Sequence, residues 1–193
     1  ARLLALLARL TARDARIKAG SYEVHAGITP WQLILKLSDG DVTQGELLLP
    51  EGWTFRQLRQ MLEAHPDLEP DTAGLSEAEI LARIGARETR AEGLFFPDTY
   101  LFDKRSGALA VLQRAYAAMQ ARVDAAWDER DPATPLASPY EALILASIVE
   151  KETGRAEDRG LVASVFANRL RIGMRLQTDP TVIYGLGPDF DGR

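Results

Sequence analysis

Gly27-Ile28-Thr29-Pro30-Trp31-Gln32-Leu33-Ile34-Leu35-Lys36-Leu37 is followed 25 residues later by Gly52-Trp53-Thr54-Phe55-Arg56-Gln57-Leu58-Arg59-Gln60-Met61-Leu62. Both stretches read Gly-x-Thr-x-x-Gln-Leu-x-x-x-Leu. Each threonine is placed to cap a helix, and each unit follows a short β-like run, Ser21-Tyr22-Glu23-Val24 in one case and Gly45-Glu46-Leu47-Leu48-Leu49 in the other. Two copies are too few for a solenoid, so the pattern predicts a small α+β module in which the two strands pair and the two helices cover them. Chance similarity of two amphipathic helices would account for part of the same pattern.

Working outward, residues 1–10 are apolar but carry Arg2 and Arg9. The run is about half of the roughly 20 residues that a membrane span needs, so it reads as an amphipathic helix. It begins without methionine and already in helical register, which suggests a chain cut from something longer, with a signal or anchor upstream. Residues 64–91 mix Pro66, Pro70 and Gly74 with a short helical pattern capped by Ser76 and Glu79, and read as a connector. From Gly107 to about Arg130 the apolar positions Leu109, Leu112, Tyr116, Met119, Val123 and Trp127 recur at threes and fours, predicting a long helix with those residues in the core. A further helix is expected from Glu157 to Ile172, with Leu161, Val162, Val165, Phe166 and Leu170 inward and Gly173 as its stop.

Between these two lies residues 138–153, a helix that is apolar almost all round and places two glutamates in its last turn. Ser138 and Glu141 form a capping box, Pro139 occupies the first turn, and Gly154 can take a left-handed stop. Successive residues turn by about 100°, so Glu150 and Glu152 point to nearly opposite faces. Glu152 continues the row Ile144 and Ile148 and ends the oilier stripe, whereas Glu150 continues the row of Ala146 and Ser147. Apolar neighbours and the negative end of the helix would both favour the protonated form of Glu152, the form that a general acid needs. The residues alone fit two solvated helix-end glutamates as well.

The chain has 193 residues, 46% of them hydrophobic, and a net charge of −5, which places it among globular chains of one or two domains. An acidic balance without a dense Lys/Arg cluster argues against nucleic acid. There is no cysteine, which excludes disulfides, thiolate catalysis and cysteine-based zinc sites. The only histidines, His25 and His65, lack the company that a serine triad or zinc site requires, and no phosphate loop or dinucleotide fingerprint is present. No metal or cofactor is implied, and carboxylate chemistry remains.

Two irregular segments could serve it. Residues 92–100, Glu-Gly-Leu-Phe-Phe-Pro-Asp-Thr-Tyr, set aromatic faces beside Glu92 and Asp98, a composition suited to sugar rings and equally to a tucked loop with core aromatics. Residues 175–185 are dense in side-chain donors and acceptors outside any helical period. Asn168 and Arg169 add a third polar cluster.

Residues 146–153, 162–170 and 172–185, together with 92–100 and the Lys18-Ala19-Gly20-Ser21-Tyr22 run, closely resemble the YceG-like family of endolytic murein transglycosylases. The resemblance implies a LysM-like module over 1–63, a connector over 64–91, and a mainly helical catalytic region over 92–193. Family members continue well beyond the last motif, so this region is expected to be incomplete. The resemblance further implies a bacterial enzyme held in the inner membrane by one N-terminal span absent from this chain, with its catalytic part facing the cell wall. Peptidoglycan glycan strands would be its substrate, and cell-wall synthesis enzymes such as penicillin-binding proteins its candidate partners. By the family pattern the catalytic glutamate falls on Glu152. Asn168, Arg169, Gln177, Thr178, Asp179 and Tyr184, with Glu92, Phe96, Asp98 and Tyr100, would bind the sugar. A module that binds glycan without cutting it, and a hydrolytic muramidase using Asp98 or Asp179 with water, are the alternatives.

Overall fold

The computed structural model describes residues 2–20, 22–41 and 43–187. Ser21, at the start of the first expected strand, and residues 188–193 of the expected catalytic region lie outside the described residues. The fold is α+β, with eight helices and four short strands among the described residues.

The duplicated unit is realised in its helices. Helix α1 (Arg2–Leu10) packs on α2 (Pro30–Asp39), and α3 (Phe55–Ala64) repeats the capping box that starts α2. Thr29 accepts the Gln32 N–H while the Gln32 side chain accepts the Thr29 N–H, and Thr54 and Gln57 do the same. Each cap satisfies N–H groups that the first helical turn cannot, worth about 1 kcal/mol.

The strand half differs. Tyr22, Glu23 and Val24 form no strand; the Tyr22 hydroxyl instead donates to the Lys18 carbonyl at 2.8 Å. β1 (Gln44–Leu48) therefore pairs with β3 (Thr99–Asp103), antiparallel, with Gly45 opposite Phe102 and Leu47 opposite Tyr100. That choice has a physical reason. Gly45 and Leu47 alternate inward on β1, and Tyr100 and Phe102 do so on β3, so pairing makes one continuous apolar face. In the 22–24 run Tyr22 is only half-buried and Val24 is exposed.

β2 (Leu68–Glu69) pairs in parallel with β4 (Ser106–Gly107). Between these strands in sequence, α4 (Glu77–Ile84) carries a full Ser76–Glu79 capping box, ends on left-handed Gly85, and buries Ile80, Leu81 and Ile84. One cluster runs from Leu47 through Leu62, Ile80, Leu94 and Phe102 to Leu112 and Ala115.

α5 (Ala108–Asp128) enters this core by its first two turns, where Val111, Leu112 and Ala115 are buried. Further along, Met119, Val123 and Trp127 are half-buried, because the rest of α5 lies on α6 (Pro139–Glu152) alone. α7 (Arg159–Arg171) and α8 (Asp179–Leu186) then fold back onto α6. Leu145, Ile148, Val149 and Phe166 make a second, smaller core there.

Three expectations for this half need correction. Only Phe166, with partly buried Val162 and Ala163, turns inward from α7; Leu161, Val165 and Leu170 are exposed, since α6 covers a single stripe of that helix. The capping box of α6 is half formed. Ser138 accepts the Glu141 N–H, but the Glu141 carboxylate reaches one residue further back to the Ala137 N–H at 2.7 Å. The helix leaves through extended Thr153, φ −144°, and not through a left-handed Gly154.

Gly45 tests the β1–β3 packing. A Cβ there would lie 2.5 Å from Cε2 of the Phe102 ring. Gly45→Ala is expected to cost about 1–3 kcal/mol in urea unfolding, with partial recovery on adding Phe102→Leu. An unchanged unfolding midpoint would contradict the register.

Candidate active site

Glu152 is the last residue of α6, and its neighbour on the helix, Glu150, turns the other way. Glu150 pairs with Arg159 at the start of α7, 2.9 Å apart, while Glu152 accepts a hydrogen bond from the Thr178 hydroxyl. The helical turn of about 100° per residue thus sends the two carboxylates to different elements. An exposed pair such as Glu150–Arg159 contributes roughly 0.2–1 kcal/mol and needs no catalytic explanation.

Thr178 is buried and stands at the N-cap of α8. Its hydroxyl does not cap its own helix but is spent on Glu152. Gln177 makes this possible by adopting φ +50°, a left-handed conformation that costs a non-glycine residue on the order of 1 kcal/mol. Arg169 holds the preceding loop by donating from its guanidinium to the Leu176 carbonyl. Gly173, φ +66°, turns the chain out of α7 into that loop. Glu152 consequently sits between the negative end of α6 and the positive end of α8, whose fields oppose each other.

Glu152 is exposed, so the apolar enclosure expected from its place on the helix does not surround it. Ile144, in the same row, is exposed as well, because the buried stripe of α6 runs through Leu145, Ile148 and Val149.

A half-buried carboxyl does lie nearby in Glu92. Both of its oxygens accept the Phe55 N–H at 3.2 Å, which places it at the N-terminus of α3. Burial pushes its proton affinity up, the Phe55 N–H opposes this, the negative charge of Glu77 adds to it, and Lys151 and Arg56 oppose it. Much of the Tyr184 ring on α8 is exposed, yet its phenol is also pushed up. Burial of the hydroxyl end acts first, followed by the charges of Glu92 and Glu77, with Arg90 opposing and Tyr140 adding slightly. The charge of Glu92 thus reaches the Tyr184 phenol on α8, while Glu152 itself takes its hydrogen bond from Thr178.

The other expected sugar-binding residues are placed as follows. Asp179 opens α8 and is exposed. Asn168, exposed on α7, accepts from Arg171 at 2.7 Å. Phe96 packs on the α5 side, under the Arg122 guanidinium at 5.1 Å, and Phe95 stacks on Phe55. Asp98 accepts its neighbour's N–H at Thr99, 2.7 Å away, and Tyr100 is buried with its hydroxyl donated to the Phe96 carbonyl. The side chains of Phe96, Asp98 and Tyr100 are thus engaged in holding the loop.

Lys151 and Glu77 make contacts around these residues without having been singled out in the sequence. Lys151 was visible between the two glutamates, but its partner, the Gly52 carbonyl at 3.0 Å, is 99 residues away. Glu77 looked like an ordinary first-turn residue; its carboxylate accepts the Ala91 N–H at 2.7 Å and so positions the residue before Glu92.

A carboxyl at the end of α6 that accepts from Thr178, the N-cap residue of α8, is the candidate centre of a site on this α+β scaffold. The YceG-like family model matches residues 1–193, and the chain belongs to that family. The endolytic murein transglycosylase of Streptococcus pneumoniae serotype 2 is 27% identical over 199 residues, covering 89% of this chain and 36% of that protein. The endolytic murein transglycosylase of Bacillus subtilis is 36% identical over 100 residues, 52% of this chain and 28% of that protein. The chain thus spans about a third of the length of these relatives. A crystal structure of a yceG-like protein from Listeria monocytogenes matches with a TM-score of 0.58 and 25% identity over 100% of this chain and 68% of that one.

The raised proton affinity of Glu92 has a sign that can be tested. The folded chain holds this proton more tightly than the unfolded one, whose ordinary value is 4.5. Its stabilising contribution is therefore complete below that pH and is lost as pH rises through the folded value. Glu92→Gln removes the dependence, so the stability difference should move in the variant's favour from about pH 4.5 toward neutrality. Urea unfolding of both proteins across that range checks it; a constant difference would contradict the burial of Glu92.

Proposed function

We propose that the protein is an endolytic peptidoglycan lytic transglycosylase that cleaves the β-1,4 bond between N-acetylmuramic acid and N-acetylglucosamine within glycan strands. The observation that carries this reading is the bond from Thr178 to Glu152, which joins the two motifs most like the family at one carboxyl. The names of the relatives support the same substrate.

Glu152 acts first as acid and then as base. A glycan strand laid across the exposed carboxyl excludes water from it, and exclusion of water favours a carboxyl in its neutral, proton-donating form. The proton passes to the glycosidic oxygen, the bond from C1 of the muramyl ring to that oxygen breaks, and positive charge develops on the ring. The C6 hydroxyl of the same ring then attacks C1 and gives its proton to the Glu152 carboxylate. The products are a 1,6-anhydromuramyl end and a free 4-hydroxyl on N-acetylglucosamine, with Glu152 protonated again. No water is consumed, so a second obligatory carboxylate is not required.

Thr178 orients the carboxyl, and Gln177, Asp179, Tyr184 and Glu92 border the place where the sugar would lie, with Asn168 and Arg169 on the helix behind. The LysM-like reading of the first 63 residues fits a glycan-docking role. Peptidoglycan lies outside the cytoplasmic membrane, which puts the catalytic part on that side; no helix among the described residues is long and apolar enough to cross a membrane. Cell-wall synthesis enzymes are the protein partners this reading favours.

Mass spectrometry of products from purified peptidoglycan tests it with the whole protein. Glu152→Gln should lower anhydro-ended products by at least about 100-fold. Thr178→Val should lower them by about 10-fold, and Glu150→Gln by less than about 3-fold. Reducing ends in place of anhydro ends would make the protein a hydrolase. Uncut strands that still co-sediment with the unaltered protein would make it a binding module.

A further inference from the structure

Trp53 stands in the turn between β1 and α3 with 43% of its surface exposed. The chain has three tryptophans. Trp31 lies under the Arg13 guanidinium, 5.6 Å from its centroid, and Trp127 under that of Arg130 at 4.1 Å. Among the described residues, Trp53 has neither a cation nor an aromatic ring stacked on it.

The backbone that carries Trp53 is pinned on both sides. The Gly52 carbonyl accepts from the Lys151 ammonium at 3.0 Å, and the Phe55 N–H donates to both Glu92 oxygens at 3.2 Å. The intervening Thr54 closes its capping box with Gln57. Lys151 immediately precedes Glu152, so this turn is tethered to the last turn of α6 beside the candidate acid. The duplicated unit supplies an internal comparison. Where the second copy has Gly52-Trp53-Thr54, the first has Gly27-Ile28-Thr29, and only the second copy is tied to α6 by this lysine.

We propose that Trp53 is a stacking platform for an N-acetylhexosamine ring of the glycan strand, seating a saccharide beside Glu152, and that Lys151 and Glu92 are positioning residues for it. This rests on the glycan reading above. The C–H face of a pyranose is apolar while its rim is hydroxylated, and an indole face covers the first while leaving the second to polar neighbours. A platform whose turn is already held in place loses little freedom on binding.

The test is tryptophan emission of the whole protein carrying Glu152→Gln, titrated with purified peptide-free glycan strands that this variant leaves uncut. A saturable change in emission is expected, kept on adding Trp31→Phe or Trp127→Phe and lost on adding Trp53→Phe. Affinity measured by co-sedimentation should weaken about 10-fold with Trp53→Ala and less than about 3-fold with Trp53→Phe, which keeps an aromatic face. Lys151→Met should weaken it by an intermediate factor. An emission change that survives Trp53→Phe, or strand affinity unaltered by Trp53→Ala, overturns the platform and leaves the glycan reading standing. Failure of the Glu152→Gln protein to bind strands at all, with Glu152 intact protein equally unable, overturns both.

Discussion

Helix α6 packs against two hydrophobic clusters at once, and the arrangement of the site depends on that. Tyr140 and Leu143, near its start, reach the main core built from the β1–β3 ribbon, α3, α4 and α5. Leu145, Ile148 and Val149, toward its end, hold Phe166 of α7 in the smaller one. A helix shared in this way has to be apolar over most of its circumference, which is why the segment shows so little amphipathic contrast. Its last turn sets three charged side chains in succession outside both cores. Glu150, Lys151 and Glu152 all occur there, and each engages a different element: the start of α7, the turn before α3, and the turn before α8.

This division explains what was legible beforehand. Local chemistry was readable because it acts within a few residues. The threonine caps of α2 and α3, the Ser76–Glu79 box of α4 and the stop at Gly173 all depend on spacings of three or four positions. The separation of Glu150 from Glu152 follows from helix geometry alone. Pairing was not readable, since a strand selects whichever partner completes an apolar face. The 22–24 run alternates as well, but Tyr22 turns its hydroxyl to the Lys18 carbonyl and Val24 is exposed, whereas Tyr100 and Phe102 are both buried opposite β1.

The environment of Glu152 shows the same limit from another side. The row Ile144, Ile148, Glu152 is a true row on the helix surface, but burial is decided by what packs against it. α7 and α8 cover the stripe through Leu145 and Val149, so Ile144 and Glu152 are left exposed while Ile148, at the edge of both, is buried. Glu92 is the converse. It looked like a polar residue beside aromatics, and the fold makes it a half-buried carboxyl by seating it on the Phe55 N–H at the start of α3. Its partner, the Phe55 N–H, belongs to a helix start 37 residues earlier, and no spacing rule connects the two.

A site assembled from helix ends has a consequence for how the reaction would be governed. The carboxyl of Glu152 is positioned in the free protein, through Thr178, but it is not shielded there. On the proposed reading, positioning and shielding would come from different agents: the fold for the first, and a strand lying over the end of α6 for the second. A strand bound there would both exclude water from the carboxyl and bring the glycosidic oxygen within its reach. On that reading, a group held open to solvent suits an enzyme whose substrate is a long polymer, which can cover it from outside, better than one acting on a small molecule that must be enclosed.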